Sequence, residues 1–143
     1  MPRWLVSLDT DKIKDYVFAS GKLNDVIGAS ALLDYLNIEK TSELANEFKG
    51  EVIFSGGGSA VLYFSNEKKA HGFCQKIEEE YLSQTKIASI SSAIIKYDED
   101  KESSPADIKY PAEGQLPDFI QAFKMAGLQL HRKKSSGNTI GLN

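Results

Sequence analysis

A single cysteine, Cys74, leaves this chain no internal disulfide to form, so burial alone must hold the fold and a reducing compartment is expected. No stretch of about 18 uncharged apolar residues occurs, and the N-terminus carries no apolar segment with a cleavage site. The expectation is a cytoplasmic protein with no membrane partner. A basic excess is missing as well: 17 Lys and Arg stand against 20 Asp and Glu, a formal charge of -3. Surfaces that bind long nucleic acid nonspecifically usually show such an excess, so that class is set aside. A small anionic substrate remains compatible where positive charge is local. Repeats and low-complexity tracts are absent, and 143 residues read most simply as one domain, 1–143, able to bury about two thirds of its unfolded surface.

What the chain does have is organised around Trp4 to Lys14, WLVSLDTDKIK. An apolar run suited to a buried strand, Leu5, Val6 and Leu8, stops at two carboxylates, Asp9 and Asp11. Lys12 and Lys14 follow as a helical pattern begins. Ligands of sheets collect beyond strand ends, and a helix starting there offers unpaired N–H groups to an anion. A metal-bound phosphate would sit at this place. The plainer alternative is that Asp9 caps the helix and Asp11 complements its dipole.

From Asp11 to Asn37 the spacing is helical, in two pieces divided at Gly21, with Leu23, Val26, Ile27, Ser30, Leu33 and Leu36 on a stripe. Gly28, Ala29 and Ser30 are small residues on a bulky face. They allow close approach either by another backbone or by a flat ligand such as a nucleobase. A helix over Thr41 to Phe48 ends at Gly50, which suits a left-handed cap. Two β-type runs, Val52 to Ser55 and Ala60 to Phe64, flank Gly56, Gly57, Gly58 and Ser59 in a hairpin. That tip is either flexible or a place where a ligand comes close to backbone. Asn66 to Thr85 is an amphipathic helix with Ala70, Phe73, Cys74, Ile77 and Tyr81 on its core face, and Ala88 to Tyr97 reads as a strand. Tyr97 to Gly114 is a long polar loop, of the kind that is disordered or functional. A last helix, Leu116 to about Lys134, ends in cations that ordinarily complement a helix dipole, and Thr139 to Leu142 has the length for an edge strand. The order predicts an α+β fold: a ferredoxin-like βαββαβ plan, an antiparallel sheet with helices on one face. In that plan Asp9 and Asp11 lie beside the glycine tip.

The strand ending in Asp-Thr-Asp, the segment KIKDYVFASGKLNDVIGASALLDYLN and the glycine-rich hairpin together resemble the palm of the type III CRISPR large subunit. The length is most similar to the minimal CRISPR polymerases (mCpol), relatives of that palm and of GGDEF diguanylate cyclases, and SSGNTI resembles how GGDEF domains finish. The resemblance implies a nucleotidyltransferase that makes a cyclic dinucleotide or oligonucleotide signal from nucleoside triphosphates, ATP favoured over GTP, in antiviral defence with a separate effector. It implies that Asp9 and Asp11 bind Mg²⁺, with Mn²⁺ an alternative. Ser59 would serve as a weak ligand or as a hydrogen-bond donor to phosphate. Thr10, Lys12, Gly56, Gly57, Gly58, Lys133 and Lys134 would contact substrate, and Ser30 would lie in the base pocket. Cyclising two nucleotides requires each hydroxyl to face the other's α-phosphate, a geometry that a two-fold homodimer supplies. Active relatives carry acids after a glycine pair, as in GGDD, where this chain has Ser59 and Ala60. The rival expectation is therefore a degenerate palm that binds a nucleotide or a protein without turnover.

Overall fold

The computed structural model describes residues 1–11, 18–86, 88–102 and 110–141, with 134–141 as backbone only. Strand β1, Pro2–Asp11, is central, and its apolar run is continuous because both its faces are covered. Helix α1, Leu23–Asp34, passes through a π-helical turn, Tyr35–Lys40, into α2, Thr41–Glu47. The hairpin follows as β2, Glu51–Gly56, and β3, Ser59–Phe64, then α3, Glu67–Thr85, β4, Ser89–Asp98, and α4, Phe119–Gly141. The sheet order is β2-β3-β1-β4 and every pairing is antiparallel, the ferredoxin-like arrangement expected.

Alternation along the strands sorts the core into two layers. Val6, Leu8, Ala60, Leu62, Phe64 and Ile90 face α1 to α3, where Leu33, Leu36, Leu44, Phe73, Ile77 and Tyr81 meet them. The helices of the βαββαβ unit thus share one face. Helix α4 lies on the other, with Ala122, Ala126 and Leu130 against Leu5, Val61, Ala93 and Tyr97. All five residues of the predicted α3 stripe are buried, Cys74 included.

Local chemistry fixes the helix ends. Asn66 accepts from the Lys69 N–H at 3.1 Å, and Asp118 and Gln121 form a reciprocal capping box at 2.8 and 2.9 Å. At the end of α2 the left-handed residue is Lys49, φ 59°, and not Gly50 as expected. Gly50 N–H reaches Ala45 O at 2.7 Å and Lys49 N–H reaches Asn46 O at 3.1 Å, a Schellman closure that places the left-handed turn one residue earlier. In the π turn, the buried Thr41 hydroxyl donates to Leu36 O at 2.8 Å.

Two further expectations change. The backbone of Thr139 to Gly141 is helical and not an edge strand. No proline follows Lys134, and Gly137 costs a helix interior only about 1 kcal/mol, so nothing stops α4 there. Asp11 belongs to β1 and not to a helix, and the helical piece after Gly21 begins at Leu23, while 12–17 and the loop segment 103–109 lie outside the described residues. Among the described residues no helix is long and apolar enough to cross a membrane.

Candidate functional site

Asp9 and Asp11 are two residues apart on β1 and therefore point to the same face of the sheet, the α4 face that Leu5 also occupies. Neighbouring strands bring hydroxyls to the same face at that end: Ser59 of β3 and Ser91 of β4 lie opposite Asp9, and Ser89 lies opposite Asp11. Asp11 Oδ2 accepts from Ser91 Oγ at 2.6 Å and from Ser89 Oγ at 3.4 Å. Ser59 Oγ donates to Gly56 O at 3.4 Å. The result is two carboxylates and three hydroxyls gathered at one strand end. Both acids are strand residues with partners across the sheet, and the residues that Asp9 would cap, 12–17, lie outside the described residues.

Thr10 points to the opposite face. Its N–H donates to Gly58 O at 2.7 Å, which fastens the hairpin tip to the end of β1. Gly57 and Gly58 hold φ of 63° and 85°, a turn that side-chain-bearing residues rarely adopt. Between this tip and α1 lies a cavity of about 210 Å³ lined by Thr10, Ser30, Leu33, Asp34, Asn37, Gly57 and Gly58. Four residues singled out from the sequence, Thr10, Ser30, Gly57 and Gly58, so share one cavity, with Gly56 at the end of β2 beside it. Behind it stands Tyr81, fully buried. Burial pushes its phenol above the ordinary tyrosine range, and the neighbouring Thr10 hydroxyl offsets part of that rise.

Lys133 is placed elsewhere. It donates to Ser92 O and lines a separate polar cavity with His71, Cys74, Glu78 and Ser92, where Ser92 Oγ donates to Glu78 at 2.9 Å. Burial pushes the Cys74 thiol there up to about 12. Lys134 belongs to the α4 backbone, and Lys12 lies outside the described residues. Sequence reasoning passed over Ser89, Ser91, Asp34 and Asn37. For the serines the signal was present in the alternation of ASISS, whose register with Asp9 and Asp11 depends on pairing across the sheet.

An all-oxygen set of two carboxylates and three hydroxyls is chemically suited to a hard divalent cation such as Mg²⁺ or Mn²⁺, which takes one or two carboxylates and fills its octahedron with phosphate and water. Among the described residues no group of three or more acids, histidines or cysteines is arranged to hold a metal ion. Asp9 and Asp11 are the carboxylates that would hold such a cation.

Fold and site together define an α+β palm whose sheet end carries paired acids beside a glycine tip. No family model matches the sequence, and neither does any curated protein. Solved structures do match. Csm1 of T. onnurineus superposes with a TM-score of 0.63 at 18% identity, over 94% of this chain and 20% of Csm1. A Csm1–Csm4 cassette in complex with AMPPNP gives 0.63 at 19% identity, over 92% and 18%. A bacterial light-regulated adenylyl cyclase gives 0.52 at 15% identity, over 89% and 69%. The chain therefore has the fold of one segment of Csm1 and spans about a fifth of that protein's length. At the level of the fold, this meets the palm resemblance drawn from the sequence.

Proposed function

We propose that this protein is a Mg²⁺-dependent nucleotidyltransferase that makes a cyclic dinucleotide or oligonucleotide signal from nucleoside triphosphates, ATP before GTP, for a separate effector in antiviral defence. The observation that carries the reading is the meeting of Asp9 and Asp11 with Ser59, Ser89 and Ser91 at the end of β1, across the strand from the cavity of Thr10, Ser30, Gly57 and Gly58. The names of the structural neighbours support it: a Csm1–Csm4 cassette is seen with AMPPNP and another with cA4, and one neighbour is an adenylyl cyclase.

In this reading the base occupies the cavity and the triphosphate passes over the hairpin tip to the acids. Gly57 and Gly58 have no side chain to block that path, so phosphate oxygens can approach backbone amides. Asp9 and Asp11 hold the cation, and the Ser59 hydroxyl is free to turn from Gly56 O toward phosphate. Bound there, Mg²⁺ neutralises the triphosphate and acidifies the attacking ribose hydroxyl. One chain offers one such site, so two copies related by a two-fold axis would bring each hydroxyl to the other's α-phosphate.

Incubation with ATP and Mg²⁺ tests the reading. The wild type is expected to form a cyclic product, and Asp9→Asn and Asp11→Asn to lose it by about 100-fold or more, the scale of removing one electrostatic stabiliser of the transition state. Product made undiminished by both variants would refute the assignment, and cyclic product from a chain that sediments as a monomer with nucleotide present would refute the two-fold arrangement.

A second reading follows from Ser59 and Ala60, which come after the glycine pair where active relatives carry acids: Ser59 stands opposite Asp9 and offers only a hydroxyl, and Ala60 is buried in the core. It makes the chain a nucleotide-binding module without turnover. Calorimetry that records nucleotide binding while the nucleotide stays intact would favour it.

A further inference from the structure

Asn37 is 4% exposed and lines the cavity beside Ser30, Leu33 and Asp34 on successive turns. Its Oδ1 is buried with no hydrogen-bond partner among the described residues. Thr41, buried one turn further on, shows the contrast, since its hydroxyl is satisfied by Leu36 O. A buried amide oxygen left unpaired is destabilising, and a leucine would fill the same space without that cost. Asn37 stands where the helix opens into its π turn, a distortion found often at functional sites. The cavity has one apolar wall at Leu33, one bare backbone wall at Gly57 and Gly58, and polar groups between them. At about 210 Å³ it lies below the roughly 300–1,000 Å³ of drug-sized pockets, so it suits one flat heterocycle and not a whole nucleotide.

We infer that Asn37 is the base-reading residue of this site: its Oδ1 accepts from the exocyclic 6-amino group of an adenine held between Leu33 and the Gly57–Gly58 backbone. A carboxamide offers an acceptor and a donor side by side, and adenine presents an amino donor beside a ring-nitrogen acceptor, the match by which asparagine reads adenine elsewhere. The inference rests on the nucleotide-binding reading above and adds to it the atom that is recognised.

The test is calorimetric, with Mg²⁺ and two probes that cannot release pyrophosphate: α,β-methylene ATP and its counterpart lacking the 6-amino group. For the wild type we expect the counterpart to bind about tenfold more weakly, the fold-change that follows from leaving one buried acceptor unpaired. In Asn37→Leu the ratio is expected to fall to about two or less. Equal binding of both probes by the wild type, or an unchanged ratio in the variant, overturns the inference and leaves nucleotide binding standing. Binding of neither probe overturns the nucleotide reading itself. The wild-type comparison needs no substitution, so it decides the matter even where the variant fails to fold.

Discussion

At Lys49 the backbone takes a left-handed turn that costs a residue with a side chain about 1–2 kcal/mol, and the adjacent glycine does not relieve it. Gly50 is a glycine for a different reason: a Cβ there would stand 2.3 Å from the ring of Phe64, which is itself buried. One position needs conformational freedom and its neighbour needs room. Lys49→Gly is therefore expected to raise the unfolding free energy by about 1 kcal/mol, and Gly50→Ala to lower it by about 1–3 kcal/mol through overpacking. Urea midpoints of the two variants check this, and effects of the same sign would contradict the division. Asn37 follows the same logic, because the partner its amide oxygen lacks, and not its place in the sequence, marks it.

Among elements, α1 is unusual in how little it buries. Leu33 is its only buried residue, while Leu23 and Ile27 are exposed, and in the π turn Leu36 is buried as Tyr35 and Ile38 are not. The hydrophobic pattern thus marks a broader face than the helix uses. Leu36→Ala is expected to cost about 2–5 kcal/mol, against a change within about 0.5 kcal/mol for Ile27→Ser. Chemical denaturation of the two variants separates them, and equal losses would mean that the outer stripe is covered too. In α3, by contrast, period and burial coincide, and the predicted stripe from Ala70 to Tyr81 is the buried one.

For the whole molecule, the sheet divides two apolar layers, and each carries titratable groups that burial keeps protonated. In the α1 to α3 layer these are Cys74, raised from 9.0 to about 12, and Tyr81; in the α4 layer it is Tyr97, also raised. The folded state holds these protons more tightly than the unfolded chain does. Between the ordinary and the raised values it binds more of them, so stability falls as pH rises. We expect the urea midpoint to be level from neutral pH to about 9 and to decline above it, with a shallower decline in Cys74→Ala. A midpoint level up to pH 11 would show that neither the thiol nor the phenols are shielded as described.

Periodicity carried far along this chain because it is a local property: which face of a strand or helix avoids water is written in residues two, three or four apart. That sufficed for the ferredoxin-like order, the α3 stripe, and Asp9 and Asp11 beside the glycine tip. Local spacing marks position 37 only as the end of a helix, and it marks the partner strands of the acids only by their apolar content. Asp11 meets Ser91 across 80 residues of chain, Lys133 turns to the carbonyl of Ser92, and Asn37 reaches the cavity through a π turn. Such partnerships depend on strand register and on the small rotations of packed helices, which no local pattern encodes. The architecture and the pair of acids follow from local pattern alone, whereas the polar groups around them follow from how the elements pack, because a polar side chain takes its partners from distant segments.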